Sequence, residues 1–550
     1  MDFLFASNPT FFRMVCSQKE WFILILNIMK KTIISVFILA IGLPLFAQEY
    51  SETKEDKYPI DIDPQRAVRG KYAEFDNYVR SAFNAYNIAG MSIAVVKDQQ
   101  VVFSNAYGVK SKVTGELLDV NTVFGIASLS KAFTAAAIGI LVDEGKLKWS
   151  DKVVDQLPTF KLYDPYATAN FTVADLVSHR SGYNTFDGDL LWYGTNYSRT
   201  EIMERIAKLP NKTSFRESYG YNNIMFIVAG ELVAKVSGMS WDRFIETRFF
   251  EPLNMTSSRT STTQFTPNDN LAIPHVKGKP SEFLNYDNSG GAAALNASAM
   301  DLSNWLKMWT NNGIYNGDTI LTASTVNYLL SLQTPQTVSS FDQSNGINFK
   351  GYGSGWFLFD YDGKKVAHHG GGLPGFISKI GFVPQENLGF VVLTNDESSL
   401  PAALMYAILD EFMKTDSDKD WADLYLGFSK RYEDRLEKER KEKLAERKKK
   451  TKPSVALESY TGIYEDEMYG TATVTLEKKS LKLVLNPAKE LFNSDLEHWE
   501  DDTFQIKFKD GFLPEGYVNF AVEEGNVDGF TIDLPNPDFH FYHLNFKRVE

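Results

Sequence analysis

A fully apolar helix headed by a serine and a lysine constrains this chain more than any other feature. Ala132 to Val142 reads AFTAAAIGILV, apolar on almost every side, so the helix it predicts belongs inside a domain. Ser128 and Lys131 stand just before it, three residues apart. On a helix that spacing shares one face, so the amine can reach the hydroxyl. A serine hydroxyl is a poor nucleophile until a base takes its proton. A lysine serves as that base only when burial moves it toward its neutral form. The first turn of a buried helix is such a place, and its N-terminus favours negative charge developing beside the serine.

Two further elements follow in order, Tyr221-Asn222-Asn223 and His369-Gly370-Gly371. Singly, each has an ordinary structural reading: Ser128 a helix cap, Lys131 a solvated first-turn residue, Tyr221 a core aromatic, the His-Gly run a turn. Order, spacing and flanking text carry the weight. The chain resembles the serine β-lactamase-like superfamily: class C β-lactamases, D-alanyl-D-alanine carboxypeptidases, D-aminopeptidases and related esterases. Ser128-Leu129-Ser130-Lys131 matches that family's first element and Tyr221-Asn222-Asn223 its second, Tyr-x-Asn. His369-Gly370-Gly371 matches the His-x-Gly that replaces Lys-Thr-Gly in the peptidase and esterase branches. FTVADLVSHRSGY (171–183), FFEPLNMTSS (249–258), LNASAMDLSNWL (295–306) and GYGSGWFLFDYDG (351–363) also match, and the resemblance covers residues 73–415.

The resemblance implies roles. Ser128 would attack a carbonyl carbon, Lys131 would accept its proton, and Tyr221 would carry a proton to the leaving group. The backbone N–H groups of Ser128 and Gly372 would bind the oxyanion. Asn223 would bind Lys131 and the substrate amide, and His369 would border the pocket where penicillin-recognising relatives place a lysine. Gly370, Gly371 and Gly372 would let substrate backbone approach closely. Phe186, Asp187, Trp192 and Tyr193 are candidates for a lid. Histidine is shorter than lysine and mostly neutral at pH 7, which favours a peptidase, amidase or esterase over a β-lactamase or D-Ala-D-Ala carboxypeptidase. A non-catalytic ligand-binding protein of the same fold would be expected to lack Ser128, Lys131 or Tyr221, and all three are present. The implied substrate is a small molecule or peptide, D-amino-acid-containing peptides included.

A net charge of −13 speaks against a nucleic-acid partner. The single cysteine, Cys16, excludes an internal disulfide. The histidines show no metal-ligand spacing, and no cofactor or metal is implied. His540 and His543 fall in a strand-like run, which would point them to opposite faces.

Residues 1–28 fit no targeting pattern and read as a start-site misassignment ahead of Met29. Residues 29–47 have the layout of a signal peptide, basic at Lys30-Lys31, apolar to Phe46 and cleavable after Ala47. This predicts export to the periplasm or the exterior, with membrane association only if the segment stays uncleaved. Residues 48–72 read as a flexible lead-in and 73–415 as the hydrolase domain. That domain shows strands near both ends with helices between, an α+β layout. The resemblance makes it an antiparallel sheet flanked by helices, with a helical insert. Residues 416–455 form a charged helical linker with i,i+4 pairs such as Asp434–Lys438, Glu437–Lys441 and Glu439–Lys443. Residues 456–550 alternate apolar and polar between turns and resemble a lipocalin-like C-terminal barrel. Such a barrel holds a ligand or is filled with side chains; an oligomerising or site-covering role would give a homo-oligomer or a shielded pocket.

Overall fold

The computed structural model describes residues 70–549. The readings of residues 1–28 and 29–47, and most of the lead-in, lie outside them. Among the described residues, eight strands build one antiparallel sheet. They are β1 (Gly90–Lys97), β2 (Gln100–Gly108), β3 (Thr334–Gln336), β4 (Lys350–Tyr352), β5 (Phe357–Tyr361), β6 (Lys364–Leu373), β7 (Phe376–Val383) and β8 (Leu388–Thr394). Their order is β2-β1-β8-β7-β6-β5-β4-β3, so strands from the two ends of the domain pair at its centre, β1 against β8. Asp98 and Gln99 both take positive φ (50° and 66°), as a two-residue hairpin turn that follows strand twist requires.

Helices α1 (Ala73–Tyr86), α4 (Ala299–Thr310), α5 (Leu400–Met413) and the upper part of α6 (Trp421–Glu446) pack on the sheet or on each other. Helices α2 (Ser130–Asp143) and α3 (Asn223–Ser237) pack together in the helical region between β2 and β3. Helix α2 is buried from Ser130 to Leu141, as its unbroken apolar text demands.

Helix α6 ends at Glu446. Lys441 pairs with Glu437 at 3.4 Å, Lys438 turns to Glu442, and Lys443 crosses to Asp533 at 2.6 Å. Arg447 lies over the Trp499 ring and donates to its carbonyl oxygen.

The last eight strands close into an antiparallel barrel. They are β9 (Gly462–Asp466), β10 (Gly470–Glu477), β11 (Ser480–Leu485), β12 (Asn493–Glu500), β13 (Thr503–Ile506), β14 (Gly516–Glu523), β15 (Asn526–Asp533) and β16 (Asn545–Arg548). Its interior is filled: Tyr460, Tyr464, Phe504, Phe520, Phe530 and Phe546 are buried, with ring centroids 4.7 to 6.2 Å apart. Aromatic packing of this kind leaves side chains, not a ligand, at the barrel's centre.

One sequence expectation fails here. His540 to His543 is no strand: Phe541–His543 form a 3₁₀ turn. Pro535 and Pro537 each lack an N–H, so the segment cannot donate through a ladder there. The turn places His540 and His543 on one side rather than opposite faces.

Candidate active site

Ser128 lies in a one-turn 3₁₀ segment, Ala127–Leu129, which runs into α2 at Ser130. Ala127, just before it, is held at φ 51°. This is a sparsely populated conformation for a residue with a Cβ. Ser130 fixes the turn by donating its hydroxyl to Ala127 O at 2.7 Å.

Lys131 is fully buried, and its Nζ is ringed by three acceptors. It stands 3.0 Å from Ser128 Oγ, 2.5 Å from Asn223 Oδ1 and 3.0 Å from Ala292 O. Burial pushes the amine well below the ordinary lysine value, and the charge of Asp189 pulls it partly back. Asn223 in turn donates its amide to Asp189 Oδ2 at 2.6 Å. Burial holds the Asp189 carboxyl well above the usual carboxylate range.

The second element is placed by its middle residue. Asn222 caps α3, accepting from Met225 N at 3.2 Å, while its own N–H goes to His179 Nδ1 at 3.0 Å. Tyr221 and Asn223, on either side of this cap, therefore both face the cleft. The Lys131 amine lies 4.8 Å above the Tyr221 ring. Burial raises the Tyr221 phenol well above 10, a shift that a hydrogen bond with Ser128 opposes. Burial thus favours the protonated phenol at Tyr221 and moves the Lys131 amine toward its neutral form.

Strand β6 carries the third element. Its pairing with β5 ends at His368, and beyond that point it pairs only with β7. The open edge lies against the Ser128 turn. A Cβ on Gly371 would stand 2.4 Å from both Ile126 O and Ser378 Oγ, whereas on Gly372 its nearest neighbour would be 3.5 Å away. Of the three glycines, Gly371 is demanded by packing, and its crowding partner is the protein rather than substrate. Gly370 and Gly372 line the cleft.

His369 borders the cleft but is 1% exposed, with Nε2 3.1 Å from Tyr352 Oη and Nδ1 2.6 Å from Gly370 O. Burial first, then the charge of Lys131, takes it down to about 3, so it is neutral. Phe186 and Trp192 line the cleft as well. Asp187 and Tyr193 instead face the barrel: Tyr193 stacks on Phe539 at 4.0 Å and donates to Asp510 at 2.7 Å. The segment expected as a lid thus divides, with Phe186 and Trp192 on the cleft and Asp187 and Tyr193 under the barrel.

The cleft measures about 660 Å³ and holds Ser128, Tyr221, Asn223 and His369 together. Sequence reasoning missed several of its residues. Asp189 leads directly into the apolar text Leu190-Leu191-Trp192-Tyr193, which is a signal of a buried carboxylate. His179 does not line the cleft but stands 4.2 Å from the Tyr221 ring, and it lies within a stretch that matched the family. Lys379 and the barrel's Phe512, Asp538 and Phe539 also line the cleft, and nothing local in the sequence marks them.

A serine beside a buried lysine, a capped Tyr-x-Asn and a glycine-rich strand edge define a β-lactamase-like site. The profile of the Beta-lactamase family matches residues 75–411, and the chain belongs to that family. A second profile, a domain of unknown function (DUF3471), matches residues 446–548. The chain is 26% identical over 464 residues to Unguisins hydrolase ungD' of Aspergillus campestris, covering 78% of this chain and 80% of that protein. It is 25% identical to Penicillin-binding protein 4 of Amycolatopsis lactamdurans over 318 residues, 56% of this chain and 81% of the relative. Among solved structures, the octameric penicillin-binding protein homologue from Pyrococcus abyssi shares the fold. The TM-score is 0.55 at 19% identity, over 87% of this chain and all of the other.

Proposed function

We propose that this chain is an exported serine hydrolase that works through an acyl-enzyme on Ser128. The observation that carries the reading is the 3.0 Å contact between Lys131 Nζ and Ser128 Oγ in a buried pocket that holds the amine toward neutrality. Ser128 Oγ attacks a substrate carbonyl carbon as its proton passes to Lys131. The oxyanion is received by the backbone N–H groups of Ser128 and Gly372, where one such donor contributes about 3–4 kcal/mol to the barrier reduction. The Tyr221 phenol delivers a proton to the leaving group, and an ester on Ser128 remains. Water then attacks this ester, giving up its proton through the same pair. A relative named as a hydrolase, matched over most of both chains, supports the class.

The substrate we propose is an ester or an amide of a peptide, D-residue peptides included, because His369 is neutral and engaged by Tyr352. Labelling with a fluorophosphonate probe, then a screen of p-nitrophenyl esters, D- and L-aminoacyl amides and nitrocefin, tests both claims. No adduct on Ser128 would defeat the first, and nitrocefin as the best substrate the second. For export, N-terminal sequencing of protein recovered outside the cytoplasm should begin at or near Gln48.

One observation favours a second reading, a substrate bearing a carboxylate. Lys379 sits opposite Gly370 on β7 and lines the cleft. Burial takes its amine down to about 8, which leaves it mostly charged at neutral pH. It would supply the positive charge that His369 does not.

A further inference from the structure

The turn that overturned the strand reading brings His540 and His543 of the barrel against Asp187 of the segment beneath it. His540 Nδ1 lies 3.1 Å, and His543 Nε2 2.9 Å, from the same oxygen, Asp187 Oδ1. The three atoms lie within 4.8 Å of one another. Asp187 is fully buried, while the two rings are 11% and 8% exposed, so a small ion has a path in.

The hydrogen bonds around the cluster suit a cation held at its centre. His540 Nε2 faces Pro537 O at 3.1 Å, a carbonyl that only accepts. A neutral imidazole carries one N–H. Given to Pro537, it leaves the Nδ1 lone pair aimed at a carboxylate oxygen, an arrangement relieved either by a second proton on the ring or by a metal ion bound between the two. The other Asp187 oxygen accepts from Asn184 N at 2.8 Å. A ring nitrogen backed by a carbonyl and a carboxylate backed by an N–H are the outer partners that orient metal ligands. Bonds of about 2.0–2.2 Å in a tetrahedral set hold ligand atoms about 3.3–3.5 Å apart. The spacings to Asp187, 3.1 and 2.9 Å, are shorter than that, so the ligand atoms must draw apart by about 0.2–0.6 Å to admit the ion.

We propose that Asp187, His540 and His543 form a site for a divalent transition-metal ion of the zinc type, with a fourth position for water. Two imidazoles and one carboxylate favour such an ion over magnesium or calcium, which take oxygen ligands. The ion joins the two domains at the rim of the cleft. Asp538 and Phe539, between Pro537 and His540, line that cleft, so the metal fixes the part of its wall that the barrel supplies. The site does not include Ser128 and does not depend on the reaction proposed above.

The test uses the tag-free full chain stripped with a chelator. Titrated with zinc(II) in a calorimeter, it should take up one equivalent per chain and gain several degrees in thermal midpoint. Cobalt(II) should give the intense visible bands of a four-coordinate site. H543Q and H540Q, each checked for folding by circular dichroism, should weaken zinc binding by about 100-fold or more, while S128A should bind as the parent does. Failure to bind zinc would overturn the site, as would binding that survives H543Q in a folded protein. A thermal midpoint indifferent to zinc but falling as pH rises through neutrality would also overturn it. That result would make the cluster an imidazolium–carboxylate clamp.

Discussion

Asp189 is coupled to Lys131 through a single amide: Asn223 donates to the carboxylate at 2.6 Å and accepts from the amine at 2.5 Å. The amide cannot turn without breaking both bonds, so its orientation, and with it the direction of the lysine, is fixed. The Asp189 charge also raises the affinity of Lys131 for its proton, against the larger effect of burial.

This coupling gives a pH prediction. With Lys131 as the proposed base the neutral amine is the active form, so kcat/KM should climb with pH as Lys131 deprotonates, with its midpoint well below the ordinary 10.5. Asp189→Asn removes the charge that raises Lys131, so the midpoint should move to lower pH. Stability has a related sign. The folded-state value is depressed, so the unfolded chain binds the extra proton, and stability rises with pH between the folded value and 10.5. Lys131→Met should flatten that rise. A midpoint unmoved in Asp189→Asn would separate the carboxylate from the base.

Ser128→Ala should abolish fluorophosphonate labelling and turnover while leaving thermal unfolding nearly unchanged. Lys131→Ala should be almost as damaging, and the double variant no worse, because the two act as a unit. Tyr221→Phe keeps the ring that packs on His179 and Phe357 and removes only the phenol. It should slow turnover by about 10²–10⁴-fold. A rate within a few-fold of the parent would take the proton-carrier role from Tyr221.

Much of this site was legible because its chemistry is written in short local elements. The spacing from Ser128 to Lys131, the apolar text of α2 and the alternation of the barrel strands each specify local structure through one periodicity. Residues that enter the cleft from elsewhere escaped. Lys379 reaches it because β7 pairs with β6 in one register, and Phe539 because the barrel rests on Tyr193. Both are tertiary facts with no local period. His540 and His543 show the converse: their aromatic, strand-like composition predicts a strand, and Pro535 and Pro537 interrupt the ladder there.

The crowding at Gly371 predicts a contrast between neighbours. Gly371→Ala places a methyl 2.4 Å from Ile126 O and Ser378 Oγ. One of these is backbone and cannot swing aside, so β6 must move off the Ser128 turn. Overpacking of this kind costs about 1–3 kcal/mol, seen as a thermal midpoint lower by several degrees with a large loss of turnover. Gly372→Ala meets its nearest atom at 3.5 Å and should fold normally. Equal midpoints for the two variants would contradict the packing described.

Lys379 decides between the two substrate readings. If it anchors a carboxylate, Lys379→Met should raise KM for substrates carrying a free carboxylate and leave KM for uncharged p-nitrophenyl esters within a few-fold. It should leave kcat nearly unchanged for both, because uniform binding is lost rather than transition-state binding. The effect should amount to about 10-fold or more, since a partly desolvated charge pair is screened less than a surface one. His369→Ala offers the comparison. Its ring holds Tyr352 and Gly370 rather than a charge, so it should cost stability and disturb both substrate classes alike. Equal KM changes for charged and neutral substrates in Lys379→Met would remove the anchor and leave the ester and amide reading standing alone.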